Sequence, residues 1–125
     1  MNGVNIKKAE IVSEDDRRSI LEIFNGEFNV KQIKILTAKK GEEVLGNHWH
    51  TYGEIRYLMK GKCEYKIKHV ITGETKEFIL NEGEIFSTTG FIIHTCKFLE
   101  DGIMIDGSEQ PYISKDFNCI EEKIW

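Results

Sequence analysis

Gly46-Asn47-His48-Trp49-His50-Thr51-Tyr52-Gly53-Glu54 is the stretch on which the reading of this chain turns. Alternate residues of an extended strand share a face, so His48 and His50 project to the same side, and a short turn through Gly53 brings Glu54 back beside them. With His94 farther along, three of the chain's four histidines and one carboxylate can then be aimed at a single point inside a small β-barrel.

Two imidazoles and a carboxylate, completed by a distant third imidazole, suit borderline divalent ions such as Fe, Mn, Ni, Co, Cu or Zn. They also leave coordination positions open for substrate or water. His48, His50, Glu54 and His94 are therefore the candidate metal ligands. A closed structural site would use thiolates, but Cys63, Cys96 and Cys119 are widely spaced and form no C-x-x-C pair. The fourth histidine, His69, belongs to the alternating run Cys63 to His69 and reads as a structural member of a strand face.

At 125 residues the chain is expected to be one domain, with no room for a Rossmann unit beside a barrel and hence no nucleotide cofactor. Apolar content of 40% and charged content of 30% are those of a soluble globular protein, and no apolar run is long enough to cross a bilayer. A net charge of -4, with only Arg17, Arg18 and Arg56 as arginines and the lysines spread among acids, argues against a nucleic-acid partner. The amino terminus lacks the apolar core of a secretion signal and the cysteines are odd in number, which places the chain in the cytoplasm with reduced thiols.

Short β-like runs recur along the chain over 6–12, 19–24, 28–37, 54–59, 62–71, 76–80, 92–99 and 103–105. Thr72-Gly73-Glu74 and Asn81-Glu82-Gly83 supply hairpin turns. So many short strands at regular spacing predict an all-β sandwich or barrel. Over 62–71 the alternation turns Cys63, Tyr65, Ile67 and His69 toward the core and Glu64, Lys66 and Lys68 toward water. The tail from Ser114 to Trp125 is compatible with a short helix or a strand. It is expected to pack outside the barrel or against a second subunit, with Trp125 as an apolar anchor.

The spacing His48-x-His50-x3-Glu54-x6-Gly61 resembles the first cupin motif, and Gly83 to His94 resembles the second. The likeness covers about residues 28 to 106 and implies a cupin-type antiparallel β-barrel, the double-stranded β-helix or jelly roll. The second motif departs from the usual pattern: Thr88 or Thr89 stands for a proline, one extra residue separates Gly90 from His94, and Phe98 stands for an asparagine.

A shorter resemblance runs through Asp15 to Glu22, Phe28, Gln32 and Gly46-Asn47-His48, and is to the cupin-type deoxysugar epimerases and dTDP-4-keto-sugar ketoisomerases. Gly46-Asn47-His48-Trp49-His50 also resembles a run in cupin domains attached to capsule-sugar reductases. These likenesses imply isomerisation or epimerisation of a nucleotide-linked keto sugar of the dTDP-4-keto-6-deoxyhexose type, in surface-polysaccharide synthesis. His48 or His50 would be the general base, since imidazole both accepts and returns a proton near neutrality. A histidine whose lone pair coordinates a metal cannot also serve as base, so the two roles compete.

Arg56 shares strand parity with Glu54 and is a candidate for holding a phosphate or sugar oxygen through its fixed fork of donors. Its alternatives are to pair with Glu54 or to reach solvent. Gln32 and Tyr65 are further candidate substrate contacts, and Tyr57 and Tyr65 candidate acids. Cys96 shares the face of His94 and stays outside the catalytic set. A metal-dependent iron dioxygenase and a non-catalytic cupin that binds a small ligand are the alternative functions; a homodimer is the expected assembly.

Overall fold

The computed structural model describes residues 1–115 and 117–125. Its strands are β1 (Val4–Lys8), β2 (Glu10–Glu14), β3 (Ser19–Glu22), β4 (Gln32–Ala38) and β5 (Leu45–Trp49), followed by β6 (Glu54–His69), β7 (Thr75–Asn81), β8 (Glu84–Thr88), β9 (Ile92–Ser108) and β10 (Ile120–Glu121). Among the described residues every ladder between these strands is antiparallel. Among the described residues no helix is long and apolar enough to cross a membrane. The all-β barrel expected from the spacing of strands, and the jelly roll implied by the cupin resemblance, are what the described residues form.

The spine is the pair β6 and β9, of 16 and 17 residues, which run side by side from Glu54↔Ser108 to His69↔Ile92. The sequence reads as two separate strands in each of these stretches, and the structure joins them. Register shifts between Leu58 and Cys63 bend the pair without ending it, as bulges do. Gly61 sits in this bend with φ of 102°, and a Cβ there would lie 2.8 Å from the Asp101 carbonyl oxygen. Only glycine takes that backbone conformation and that close approach together.

Because the spine bends, one continuous eight-stranded sheet folds over on itself into two layers. The first layer joins β4 to the late part of β9, the early part of β6, β8 and β1. The second joins β7 to the late part of β6, the early part of β9, β5 and β10. The run expected over 6–12 divides at Ala9, so that β1 enters the barrel while β2 pairs with β3 in a separate two-stranded ribbon.

Between the layers lies an apolar core of Leu58, Cys63, Tyr65, Ile67, Leu80, Phe86, Ile92, Phe98 and Met104. The alternation expected in β6 holds for Cys63, Tyr65 and Ile67, which are buried. Tyr65 stacks on Phe78 at 5.2 Å and meets Phe86 of the other layer edge-on at 4.9 Å. Each fully buried side chain of this size contributes about 1.5–3 kcal/mol over its exposed state. His69 ends the run as a structural residue: its Nδ1 accepts hydrogen bonds from the backbone amides of Ile71 and Thr72 in the turn.

Candidate functional site

β5 and β9 bring the histidines together because Gly46 lets the two backbones touch. A Cβ at Gly46 would lie 2.5 Å from the His94 carbonyl oxygen. Asn47, with φ of 60°, then shifts the register so that His48 stands opposite His94. The tail holds this bulge in place: the Asn47 side-chain oxygen accepts from the amides of Ile124 and Trp125, and β10 pairs with His48 and Trp49. Thus Ile120 and Glu121 of the tail form a strand beside β5, the amides of Phe117 and Asn118 donate back to the Ser114 carbonyl, and Trp125 is an anchor, its ring lying under the ammonium groups of Lys66 and Lys97 at 4.4 and 4.6 Å.

The departures in the second motif are accommodated locally. Phe91, the residue in excess, takes φ of 66°, donates its amide to the His50 carbonyl at 2.7 Å and stacks on Trp49. Phe98 is buried in the apolar core, 2% exposed. Neither change displaces His94.

The four expected side chains meet in one cavity of about 360 Å³. The ligand atoms of His48, His50 and His94 lie within 4.8 Å of one another. Glu54 Oε1 is 3.2 Å from His50 Nε2 and 3.6 Å from His94 Nε2. Arg56 enters the same group from the facing layer: its Nη2 donates to Glu54 Oε1 at 2.7 Å and lies 3.2 Å from His94 Nε2. His50 Nδ1 faces the Asn118 carbonyl at 2.7 Å, and His94 Nδ1 faces the Ile92 carbonyl at 3.2 Å. A hydrogen on each Nδ1 leaves both Nε2 atoms turned into the cavity.

The electrostatics follow first from burial and then, among the charged neighbours, above all from the Arg56 guanidinium. Burial, together with the neighbouring His50, brings the His48 imidazole down to about 4, and burial with Arg56 holds His94 well below its ordinary value. Both are therefore neutral at pH 7, with lone pairs available. Burial works against the charge on Arg56, but the carboxylates of Glu54 and Asp106 outweigh it and keep the guanidinium ionised. Burial also pushes the Tyr65 phenol well above its ordinary value and Asp106 up to about 6.

Whether a divalent ion fits this group depends on Arg56. The three imidazoles form a plausible donor set, and each Nδ1 of His50 and His94 is steered by a carbonyl, as in metal-ligating histidines. Yet Glu54 and the lone pair of His94 already serve a guanidinium. An ion there would share its ligands with a fixed positive charge at hydrogen-bonding distance, so the residues as arranged do not fit a resident divalent ion.

Of the other expected residues, Arg56 and Tyr65 line the cavity, as does Cys96, whose thiol burial pushes up to about 11. Tyr57 lies outside it. Strand parity sends Tyr57 to the opposite face of β6 from Glu54 and Arg56, where it packs on the second apolar cluster of Ala9, Ile55 and Ile85. Gln32 is also outside the cavity lining, and its side-chain oxygen accepts from the Tyr112 amide. Lys34, two residues on, does line the cavity.

Sequence reasoning missed Asp106, Tyr112, Asn118 and Cys119. Asp106 is opposite Arg56 in the β6–β9 ladder. Its signal was concealed by the all-apolar triplet Ile103-Met104-Ile105, which shows no alternation from which to read a face. Asn118 acts through its backbone carbonyl and through a side chain that caps the loop at Ile113 and Pro111, and no residue pattern announces that.

No protein-family model matches the sequence, and no curated protein matches it significantly. Solved structures do match. The chain superposes on a TDP-quinovose 3,4-ketoisomerase from Campylobacter jejuni with a TM-score of 0.82 at 15% identity, covering 98% of this chain and 95% of that one. A variant of a 3,4-ketoisomerase from Thermoanaerobacterium thermosaccharolyticum, in complex with TDP-4-keto-6-deoxyglucose, matches at 0.79 and 15% identity over 98% and 89%. A dTDP-4-dehydrorhamnose 3,5-epimerase from Sulfolobus tokodaii matches at 0.74 and 24% identity over 91% and 74%. At these identities the likeness is one of fold, the RmlC-like cupin barrel.

Proposed function

We propose that the chain isomerises or epimerises a nucleotide-linked keto sugar of the dTDP-4-keto-6-deoxyhexose type, in the cavity that holds His48, His50, Glu54, Arg56 and His94. The observation that carries this reading is the gathering of His48, His50 and His94 in one cavity with Arg56, whose guanidinium is held there by Glu54. A base that is neutral at working pH can take the proton from a carbon next to a carbonyl, and a fixed cation can hold the oxygen on which negative charge then develops. Return of that proton to the other face of the same carbon completes an epimerisation; its return to the former carbonyl carbon completes an isomerisation once the neighbouring hydroxyl has passed its own proton to the former carbonyl oxygen. Among the described residues no hydrogen bond is made by a ring nitrogen of His48, whereas His50 is fixed through Nδ1 on the Asn118 carbonyl with its Nε2 against the Glu54 carboxylate, so His48 is the ring free to meet a substrate.

Arg56 has one nitrogen, Nη1, buried without a partner. A substrate oxygen supplied to it would satisfy that donor, and Lys34 at the cavity wall is placed to meet a phosphate. The neighbours solved with TDP or a TDP-sugar support the choice of substrate class. The iron dioxygenase reading requires an ion where Arg56 already engages Glu54 and His94 and is not favoured. A cupin that only binds its ligand would show binding without proton exchange.

Cys63 and Cys96 are thiols, which fits a cytoplasmic setting for a surface-polysaccharide enzyme. Ile33 and Ile35 on the outer face of β4 are 67% and 69% exposed. We assign that face to contact with a second copy. Ile33→Lys with Ile35→Lys is expected to shift a dimer to a monomer in light scattering, and an unchanged mass would remove this assignment.

The functional reading is tested by incubating the chain with dTDP-4-keto-6-deoxyglucose in deuterium oxide. Deuterium in the recovered sugar supports it. Binding without deuterium supports the non-catalytic alternative, and absence of both removes the nucleotide-sugar reading.

A further inference from the structure

We propose that Arg56 occupies the functional place of a metal ion: its guanidinium neutralises a latent site of three imidazoles and one carboxylate, and removing that single cation converts the cavity into a divalent-metal centre. The proposal stands apart from the choice of substrate and concerns what the four side chains would bind if left alone.

Three observations meet here. The ligand atoms of His48, His50 and His94 are gathered within 4.8 Å. Carbonyls of Asn118 and Ile92 steer Nδ1 of His50 and His94, so each ring turns Nε2 inward, an arrangement common among metal-bound histidines. Glu54 Oε1 lies beside both Nε2 atoms at 3.2 and 3.6 Å. Against this preset group stands one side chain, reaching across from the same strand face as Glu54 to bond it at 2.7 Å and to meet His94 at 3.2 Å.

The guanidinium cannot give up its charge, so it competes with a metal at every pH at which the protein is folded. It is also 3% exposed, so water does little to screen it. Its removal would leave Glu54 without its hydrogen-bond donor and His94 without a partner on Nε2. A divalent cation would satisfy both at once.

The test uses the native chain, Arg56→Met and Arg56→Gln, each stripped with chelator and titrated with Co(II), read by its visible absorption bands and by calorimetry. Arg56→Met keeps the volume without the charge; Arg56→Gln keeps a donor for Glu54. The expected result is no coordinated Co(II) in the native chain and one per chain in the variants. Any residual association of Co(II) with the native chain should be weaker than coordination in the variants by at least about 10–100-fold, the scale on which groups around metal ligands act. Adding His94→Ala to Arg56→Met should abolish the bands. If a variant is unfolded without metal, Co(II) is expected to restore its β-sheet circular dichroism. Stoichiometric Co(II) ligation by the native chain overturns the proposal, as does failure of both variants either to bind more tightly or to refold with the ion.

Discussion

Arg56 and Leu58 are two residues apart on one face of β6, and both are buried, 3% and 0% exposed, yet they sit in opposite surroundings. Leu58 belongs to an apolar layer with Ile67, Leu80, Phe86 and Ile92, held by contact, and Tyr65 and Phe98 form its border with the cavity. Arg56 belongs to a charged layer in which Glu54, His94 and Asp106 depend on one another for compensation. The apolar layer is stabilised by taking apolar surface out of water. The charged layer must recover a desolvation penalty of several kcal/mol per ion through its pairings, which at best come out near even. The same strand therefore carries its stability at one step and its chemistry at the next.

This contrast is most sharply broken by removing one member of the charged layer. Arg56→Met without metal is expected to lower the unfolding free energy by about 3–5 kcal/mol, because Glu54 is left buried without its partner. The double variant Glu54→Gln with Arg56→Met is expected to regain most of that loss in a urea melt. Simple additivity would show that the two are not coupled. Leu58→Ala, in the apolar layer, is expected to lower stability by about 2–5 kcal/mol through the cavity it leaves, with no second substitution able to rescue it by charge.

A smaller effect appears in the pH dependence of the melting temperature. His48 has its folded value lowered from 6.5 to about 4, so the stability it contributes is complete above 6.5 and is lost as pH falls from 6.5 through 4. His94 acts in the same direction. Asp106, raised from 3.8 to about 6, has the opposite sign: its contribution is present below 3.8 and lost as pH rises through 6. The native chain should thus lose stability on acidification in this window, with Asp106 offsetting part of the loss. Asp106→Asn is expected to make the acid limb steeper, and an unchanged slope would contradict the sign assigned to it.

The smallest expected change is at Tyr57. Tyr57→Phe, on the outer face of β6, is expected to leave deuterium exchange as in the native chain and to shift stability by about 0.5 kcal/mol or less. A large fall in exchange would bring Tyr57 back into the chemistry.

The apolar layer was legible in the sequence because Cys63, Tyr65 and Ile67 alternate with charged residues, and a period of two shows which face is buried. The site was legible as a set of ligands because His48, His50, Glu54 and His94 are chemically conspicuous and fall at a recognisable spacing. Parity also placed Arg56 with Glu54, and their pairing was one of its open alternatives. What spacing could not show was that Arg56 would reach across to a histidine from the other layer. That contact goes with the bend at Gly61, a glycine the motif marks but whose bend the sequence shows only as a gap between two apparent strands. The role of Asn118 was hidden for a related reason, since a backbone carbonyl has no residue signature and the tail comes to His50 only through the long-range pairing of β10 with β5.

The central claim is that His48, set neutral in this cavity, moves a proton between positions of a keto sugar. It is tested most directly by following solvent deuterium into dTDP-4-keto-6-deoxyglucose with the native chain and with His48→Asn, under conditions where both are folded. The account predicts exchange in the native chain and a fall of about 10²–10⁴-fold in the variant, the usual contribution of a positioned general base. Equal exchange in the two, or none in the native chain while the nucleotide sugar is bound, would contradict it.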